Sequence, residues 1–264
     1  MDPEHLCLSG RILLVAAHPD DESIGAGGQL HHSKDRVHIL HATDGAPLNP
    51  AFARDAGFGS REEYARARTV ELRCAVSQAG IPWERCRNIG LPDQDTVNHL
   101  PHLTEAIASH IDRIRPDCVL THAYEGGHPD HDSCAFACRV ALATAGSTAG
   151  LWEFTSYHTG PDGLITGEFL GDSGRTVVHE LDEEQRTRKR RMFGCHGSQA
   201  RVLDWFRIDR EKFRAAPGYD FTRPPHEGRL HYETLNWGID GARWRERVSE
   251  AMEKMGAHHV TYRS

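Results

Sequence analysis

The sequence predicts an α/β fold: a Rossmann-like, mainly parallel sheet flanked by helices. Residues 11–17 and 117–121 are short apolar runs, which are typical of strands that are buried on both faces. Over residues 11–145 such runs alternate with segments of helical periodicity, as in βαβ units. The 264 residues suit a single domain, 1–264, with a core at 11–145 and a smaller C-terminal elaboration of strands, loops and a helix at 151–264.

The elements of the core follow one another in a regular order. The first strand, 11–17, ends at a His-Pro-Asp-Asp-Glu sequence, and glycines at 25–28 lead into a helix. A second strand at 36–43 alternates polar and apolar residues. The spacing of Leu103, Ile107 and Ile111 predicts an amphipathic helix at 99–115. The remaining core elements are a loop at 44–60, a helix at 61–79, short strands at 86–89 and 117–121, and a helix at 131–145.

The C-terminal part has a different pattern. It begins with three predicted strands, and a Gly-Asp-Ser-Gly turn joins the last two. A charged helix, a long loop-rich stretch and a final helix follow. The ranges are 151–157, 163–170 and 175–180 for the strands, 182–192 for the charged helix, 215–241 for the loops and 242–254 for the last helix.

Composition excludes several classes of protein. Lys and Arg number 31 against 38 Asp and Glu, a net charge of -7, which disfavours a nucleic-acid-binding surface. No apolar stretch approaches the ~18 residues of a membrane span, and the N-terminus lacks the pattern of a secretory signal. The seven cysteines are scattered without a Cys-x-x-Cys pair, which predicts reduced thiols and a cytoplasmic protein. The sequence is compatible with a monomer or a homo-oligomer.

Histidine is abundant, with 19 residues, and two histidine motifs lie just past the C-terminal ends of predicted strands, the second after a glycine-bearing loop. The first is HPDDE at 18–22, after the strand 11–17, and the second is HPDHD at 128–132, after the strand 117–121. Three carboxylates beside one imidazole would repel one another in a dry site, and a divalent cation would relieve that cost. Each motif taken alone is also compatible with an acidic turn that caps the next helix.

The shared position of the two motifs favours a functional site, because ligands bind outside the carboxyl ends of strands in open α/β sheets. One imidazole and one carboxylate of the first motif, with an imidazole of the second, resemble the three-ligand set of catalytic zinc. Iron, manganese or cobalt also suit such a set. A spare carboxylate would accept a proton from water, and a spare imidazole would stabilise an oxyanion. Asp20 and His128 are the leftover groups.

The paired motifs resemble those of the LmbE-like, or PIG-L, family of zinc-dependent N-acetylglucosaminyl deacetylases. AHPDDE at 17–22 and HPDH at 128–131 carry the resemblance. TDG at 43–45, RTVE at 68–71 and HGSQ at 196–199 are weaker likenesses. The resemblance extends over about 11–199 and implies a hydrolase that removes an acetyl group from an N-acetylated amino sugar or its conjugate, a small-molecule substrate.

The resemblance also implies roles in the chemistry for five residues of the two motifs. His18, Asp21 and His131 would bind Zn²⁺. Asp20 would be the general base that activates water. His128 would stabilise the tetrahedral intermediate and help to protonate the departing amine.

Other positions receive supporting roles from the same resemblance. Asp130 would orient an imidazole at the metal site, and Arg68 and Asp93 would face sugar hydroxyls. Some family members carry a tyrosine two residues before the first histidine of the second motif, where this chain has Gly126.

Several further expectations concern the surroundings of the site. His122 is a candidate for the pocket wall, and the segment 226–231 (HEGRLH) for a substrate lid. The loops 44–60 and 215–241 are expected to set the identity of the substrate, because binding residues concentrate on loops over a rigid scaffold. Two alternatives stay open: hydrolysis of another amide, such as a thiol-conjugate amide, and a non-hydrolytic sugar-binding relative on the same scaffold.

Overall fold

The fold is built on one large, mainly parallel sheet. A computed structural model describes residues 10–171 and 176–257. The strands of the large sheet are β1 (Ile12–Ala16), β2 (Val37–Pro47), β3 (Cys86–Asp93), β4 (Cys118–His122), β5 (Gly150–Phe154), β8 (Thr176–Glu180) and β9 (Arg210–Ala215), and a separate hairpin consists of β6 (Tyr157–Gly160) and β7 (Gly163–Thr166).

The order of the strands places a crevice at the end of β1. Across the sheet the order is β3-β2-β1-β4-β5-β9-β8, with β1 to β5 parallel and β9 antiparallel to both of its neighbours. The chain passes outward from β1 to β2 and β3, and then returns to the other side of β1 as β4. Such a reversal is where open α/β sheets bind ligands. The topology confirms the predicted Rossmann-like fold.

Helices cover both faces of the sheet. They are α1 (Asp21–Ala26), α2 (Pro50–Asp55), α3 (Arg61–Gln78), α4 (Leu100–Ile114), α5 (Pro129–Thr144), α6 (Glu183–Cys195), α7 (Ala200–Leu203) and α8 (Gly241–Met255). Apolar side chains of α3 and α6 pack on one face, and those of α4 and α5 on the other. Trp244 of α8 packs with Phe136 of α5, outside this second layer. None of the helices in the described ranges is long and apolar enough to cross a membrane.

Two strands extend beyond their predicted ends. β2 continues to Pro47 and β3 to Asp93, because the two strands keep pairing through an irregular register that joins these residues. The extension carries Asp93 to the edge of the sheet where the histidine motifs lie. Within the predicted loop 44–60, the short helix α2 is capped by Asn49, whose side chain accepts a hydrogen bond from the Ala51 N–H.

Strand β9 is absent from the sequence-based prediction. Its sequence is charged, yet it lies between β5 and β8. Glu211 pairs with Lys189 at 2.7 Å, and Arg214 with Glu153 at 2.6 Å, and all four side chains are buried. Each charge has a partner from another element, which is the condition for burying it, and the sequence pattern does not show these partners. The predicted Gly-Asp-Ser-Gly turn falls mainly on residues outside the described part of the chain.

Two cysteines form a disulfide, so the prediction of reduced thiols is wrong for this pair. Cys74 of α3 and Cys195 of α6 are bonded, with Cα atoms 5.7 Å apart, in the usual range for a disulfide. The two helices pack side by side on one face of the sheet, a proximity that a separation of 121 residues hides from the sequence. Within residues 10–171 and 176–257, the free and buried cysteines are Cys86, Cys118, Cys134 and Cys138.

Candidate metal centre and active-site cavity

Both histidine motifs lie at the same edge of the sheet. His18 follows β1, and His128 begins α5 after the neighbouring strand β4. The ring centroid of His18 lies 4.4 Å from that of His128 and 5.2 Å from that of His131. All three imidazoles are buried. The topology therefore brings together side chains that are up to 113 positions apart in the chain.

The three residues expected to bind metal (the ligand triangle) bring their donor atoms close together, with a different carboxylate oxygen of Asp21 facing each histidine. His18 Nδ1 lies 3.2 Å from Asp21 Oδ2 and 3.3 Å from His131 Nε2. His131 Nε2 lies 3.3 Å from Asp21 Oδ1. Bonds of about 2.0–2.2 Å to a tetrahedral zinc ion place neighbouring ligand atoms ~3.3–3.5 Å apart. The spacing and the donor set of this ligand triangle therefore suit zinc.

Other combinations of the same residues are also close enough to share a metal ion. These groups are His18 with His128 and His131; His18 with Asp93, His128 and Asp130; and Asp21 with His122 and His131. Hydrogen bonds make these groups less suitable than the ligand triangle as metal sites. His122 Nε2 accepts the Ala17 N–H at 3.0 Å, and His128 Nδ1 accepts the Asp130 N–H at 3.1 Å. Each bond occupies a lone pair that a metal ion would need.

Carboxylates behind His18 determine which of its nitrogens faces the ligand triangle. His18 Nε2 lies 3.1 Å from Asp130 Oδ2 and 3.1 Å from Asp93 Oδ1. A proton on Nε2 leaves the lone pair of Nδ1 directed at the other two ligands. Burial lowers the pKa of His18, but Asp93, Asp130 and Asp21 raise it well above the usual value. A bound cation would replace the extra proton that these carboxylates attract.

His122 contacts two members of the ligand triangle, Asp21 and His131. Its Nε2 lies 3.4 Å from Asp21 Oδ2, and its ring stacks on His131 with centroids 3.9 Å apart. Burial and then the neighbouring His131 lower the pKa of His122 to about 3, so this imidazole is neutral. Burial raises the pKa of Asp21, but His131 and His122 lower it well below the usual value. His122 therefore packs beneath the metal site instead of on the wall of the cavity.

Asp20 has an unusual backbone conformation beside the ligand triangle. Its φ is 148° and its ψ is -25°, a strained combination for a residue with a side chain. Its N–H donates to Glu22 Oε2 at 3.1 Å, and its Oδ2 lies 3.2 Å from Arg68 Nη2. Burial raises the pKa of Asp20 to about 6, against the opposing charge of Arg68. A carboxylate that titrates close to neutral pH suits a general base.

A buried network holds the acceptor of the Asp20 N–H. Glu22 accepts a hydrogen bond from Ser23 Oγ at 2.6 Å, and it lies 3.0 Å from His41 Nε2 and 3.6 Å from His196 Nε2. Burial raises the pKa of Glu22, but hydrogen bonds from His196 and His41 lower it well below the usual value. Glu22 is therefore ionised. His196 belongs to the HGSQ segment, whose role the sequence leaves open.

His128 presents its other nitrogen to the cavity. Because Nδ1 accepts the Asp130 N–H, the proton of the neutral ring lies on Nε2. This Nε2 is 3.5 Å from Asp93 Oδ1. Burial and then the charge of His18 hold the pKa of His128 well below the usual value, so the ring stays neutral. An N–H donor fixed beside the ligand triangle is suited to a developing oxyanion.

The two residues expected to face sugar hydroxyls are both engaged by the protein itself. Arg68 Nη1 donates to Gly45 O at 2.9 Å and Nη2 to Pro19 O at 2.8 Å, and only 2% of Arg68 is exposed. Asp93 lies against the imidazoles of His18 and His128. Both side chains line the cavity, where Arg68 also contacts the carboxylate of Asp20 at 3.2 Å and Asp93 contacts the two histidines.

The ligand triangle forms the floor of a cavity of about 200 Å³. Loops 44–60 and 215–241 both contribute to its wall, and His231 is the contribution of the segment 226–231. The segment 199–206 also lines it, which the sequence did not reveal because its helix has too few residues for a periodic pattern. The apolar and aromatic lining residues are Ile24, Pro47, Phe52, Tyr64, Tyr157, Val202, Trp205, Phe206, Leu235 and Trp237.

The backbone and packing at Gly126 favour glycine. Gly126 has a φ of 71°, and a Cβ atom there would lie 2.6 Å from Leu230 Cδ2. A side chain at this position would be strained by the positive φ and would require Leu230 to shift. Tyr157 of β6 is a further aromatic residue of the cavity, and its ring centroid lies 5.6 Å from that of His131. No motif in the sequence marks Tyr157.

The sequence profile of the PIG-L family, described as GlcNAc-PI de-N-acetylase, matches residues 13–142, from β1 into α5. The chain belongs to the PIG-L family. The matched segment contains both histidine motifs and the whole ligand triangle. The PIG-L match ends before β5, so most of the apolar cavity wall lies outside it.

Individual relatives are similar to more than half of this chain. A 1D-myo-inositol 2-acetamido-2-deoxy-alpha-D-glucopyranoside deacetylase of Mycolicibacterium smegmatis is 27% identical over 57% of this chain and 59% of its own length. The protein of the same name from Corynebacterium glutamicum (strain R) is 28% identical over 75% of this chain and 78% of its own length. This chain thus spans little more than half of the first of these relatives.

A solved structure shares the fold. The crystal structure of the A40926 pseudoaglycone deacetylase Dbv21 aligns with a TM-score of 0.59 and 25% identity, covering 74% of this chain and 84% of that chain. The alignment agrees with the Rossmann-like sheet described above.

Proposed function

We propose that this PIG-L protein is a metal-dependent N-deacetylase that hydrolyses the acetamide of an N-acetylglucosamine-type sugar conjugate. One observation carries the proposal: the ligand triangle of His18, Asp21 and His131 shares its cavity with a spare carboxylate, Asp20, and a spare imidazole N–H, His128. A site that only binds sugar needs no spare base. The two bacterial relatives are named as deacetylases of a 2-acetamido sugar linked to inositol, which supports the reaction class.

The residues of the ligand triangle fit a zinc ion, because two imidazole nitrogens and a carboxylate at tetrahedral spacing are typical of catalytic zinc. When bound, zinc supplies a Lewis acid that polarises a carbonyl and acidifies water. Asp20 accepts the proton of the water that attacks the amide carbon. His128 Nε2–H donates to the carbonyl oxygen as negative charge develops on it. When the C–N bond breaks, the proton on Asp20 passes to nitrogen and the amine leaves; the acetic acid that remains releases its proton to give acetate.

Two substitutions separate catalysis from metal binding. In Asp20→Asn the three ligands remain, so we expect about one zinc ion per chain but a kcat lower by about 10²–10⁴-fold. In His18→Ala both zinc and activity are lost. Acetate released from N-acetylglucosaminides measures turnover, and elemental analysis of the purified protein measures zinc.

Val70→Ala is the matched control, because Val70 is 69% exposed on α3 and does not line the cavity. Wild-type kcat in zinc-loaded Asp20→Asn would contradict the assigned base. Acetate release that survives removal of metal by a chelator would contradict metal dependence. Reconstitution with zinc, iron, manganese or cobalt compares the candidate metals directly. Release of amine from a thiol-conjugate amide, with none from the N-acetyl sugars, would replace the proposed substrate class.

A further inference from the structure

The cavity is polar at its floor and apolar at its mouth. The floor consists of the ligand triangle, Asp20 and His128, all of them buried. The mouth carries five large apolar side chains from α2, the segment after α7 and the loop before α8. This apolar rim consists of Phe52, Trp205, Phe206, Leu235 and Trp237. All but Phe52 lie outside the segment matched by the PIG-L profile.

Exposed apolar surface is concentrated around this opening. The large hydrophobic side chains that are exposed among the described residues are Leu48, Val70, Leu164, Val178, Trp205 and Leu235. Trp205 and Leu235, which are 46% and 38% exposed, belong to the apolar rim. Leu48, 59% exposed, lines an adjoining cavity of about 250 Å³ that shares Trp237 with the first. Exposed large apolar side chains at the opening of a cavity are typical of a binding site.

The catalytic cavity is too small to enclose a whole sugar conjugate. Its volume of about 200 Å³ is below the ~300–1,000 Å³ of pockets that bury most of a drug-sized ligand. The acetamide must reach the floor, where Asp20 and the ligand triangle lie. The group attached to the sugar therefore extends outward, over the apolar rim.

The apolar rim offers little to a polar group. Its side chains carry no ionised atom, and the indole N–H groups of Trp205 and Trp237 are their only hydrogen-bond donors. The nearby Gln199 side chain already donates to Tyr64 Oη and Ser198 Oγ, at 2.6 and 3.1 Å. Two other polar lining residues, Gln94 and His231, do not belong to the rim. A polyol that lies on the five rim side chains would lose water and gain hydrogen bonds only from the two indoles. An aryl or alkyl group would instead cover the exposed indole and leucine surfaces.

We propose that the substrate carries an apolar aglycone, an aryl or alkyl group on the amino sugar, and that the apolar rim binds it. This inference rests on the proposed deacetylase function and names the substrate class within it. The PIG-L segment supplies the chemistry at the floor, while the rim, contributed mainly by the C-terminal part, selects the conjugate.

Kinetics with simple glycosides test the inference. The probes are the methyl, phenyl and octyl glycosides of N-acetylglucosamine, with both anomers of each. Acetate release should give kcat/KM for the phenyl or octyl glycoside at least about tenfold above the methyl glycoside, because an apolar contact of this size discriminates by one to two orders of magnitude. The gain should lie mainly in KM, since the rim does not touch the reacting atoms.

Variants of the rim provide the second arm of the test. Leu235→Ala and Trp205→Ala should each raise KM for the phenyl glycoside by about tenfold. Leu164→Ala is the matched control, because Leu164 is also a leucine that is 38% exposed but it does not line the cavity. It should keep the wild-type preference. A preference for phenyl over methyl that is unchanged in both rim variants would overturn the inference.

Direct binding distinguishes failure of the inference from failure of the proposed function. Calorimetry gives Kd for phenyl and methyl glycosides with the zinc-loaded wild type. If no glycoside is hydrolysed but phenyl binds more tightly and Leu235→Ala removes this preference, the rim inference stands and the deacetylase proposal fails. Equal Kd and equal kcat/KM for the two glycosides refute the rim inference alone. Preference for an N-octanoyl methyl glycoside, lost in Leu235→Ala, would place an acyl chain on the rim and also overturn it.

Discussion

Replacement of Glu22 should impair catalysis indirectly. Glu22 has no proposed part in the reaction itself, but it holds the backbone of the proposed base, Asp20. Glu22 touches neither the ligand triangle nor the cavity, but its Oε2 accepts the N–H of Asp20 at 3.1 Å. Asp20 needs this acceptor because its φ of 148° is unfavourable, at a cost of about 1–3 kcal/mol. We therefore expect Glu22→Ala to let the Asp20 backbone relax and to turn its carboxylate away from the floor.

The size of the effect follows from what Glu22 contacts. A carboxylate displaced by about 1 Å can lose ~10²-fold in rate, so kcat should fall by about 10–100-fold. Loss of the charge also leaves His41 and His196 without their shared partner, both of them 0% exposed. Removal of one member of a buried ionic network costs about 3–5 kcal/mol in the free energy of unfolding. Glu22→Gln keeps an acceptor for the Asp20 N–H, so its losses in kcat and in the free energy of unfolding should be smaller.

The assay combines kcat from acetate release, zinc content and urea unfolding. Glu211→Gln is the matched control, because Glu211 is also a buried carboxylate that accepts a backbone N–H, from Gly28 at 2.8 Å, and pairs with a cation, Lys189. It should lose stability while kcat stays near wild type. A folded, zinc-loaded Glu22→Ala with wild-type kcat would refute the reasoning. If Glu22→Ala does not fold, a kcat in Glu22→Gln equal to that of Glu211→Gln has the same meaning.

Two further predictions concern stability. Burial raises the pKa of Glu125 to about 8, although hydrogen bonds from Thr155 and Ser156 oppose this rise. In the unfolded chain a glutamate titrates near ~4.3. Between these two pH values the folded state holds a proton that the unfolded state releases, so the free energy of unfolding falls as the pH rises. Glu125→Gln removes this dependence, and its stability relative to wild type should rise by on the order of 2–4 kcal/mol from pH 5 to pH 8 in urea unfolding; an offset that is the same at both pH values would contradict the assignment. The Cys74–Cys195 disulfide closes a separation of 121 residues, so Cys74→Ser/Cys195→Ser should lower the free energy of unfolding by about 2–4 kcal/mol. Denatured, unreduced wild type and the double variant should titrate equal numbers of thiols, and two more in the wild type would show that the bond does not form.

The core of the fold could be predicted because its strands and helices carry strong local patterns. The apolar runs of β1 and β4 and the 3.6-residue spacing in α4 are visible in single segments. β9 could not be predicted, since what makes its charges tolerable is Lys189 on α6 and Glu153 on β5. The disulfide could not be predicted for the same reason, because Cys74 and Cys195 meet only where α3 and α6 pack on the same face of the sheet.

The candidate site divides in the same way. His18, Asp21 and His131 could be expected to meet because each motif lies past the carboxyl end of a parallel strand, and the strand order then places both motifs at one edge. Asp93 and Arg68, which the resemblance places at the sugar, both line the cavity, and they also contact His18 and Asp20. Such partners depend on side-chain directions that no spacing encodes. The apolar rim was hidden for a different reason, because its aromatic residues have no periodic pattern.

A single short segment links the stability of the protein to both ends of the cavity. Cys195 ends α6 in the disulfide, and the next residue, His196, reaches Glu22 behind Asp20. Ser198 donates twice to Glu71 of α3, through its N–H at 2.7 Å and its Oγ at 2.6 Å. Gln199 lines the cavity, and the chain continues into the part of the apolar rim that follows α7. The HGSQ segment therefore holds the proposed base, Asp20, through Glu22, and it also positions one side of the cavity mouth. For these roles its residues need no direct contact with the ligand triangle.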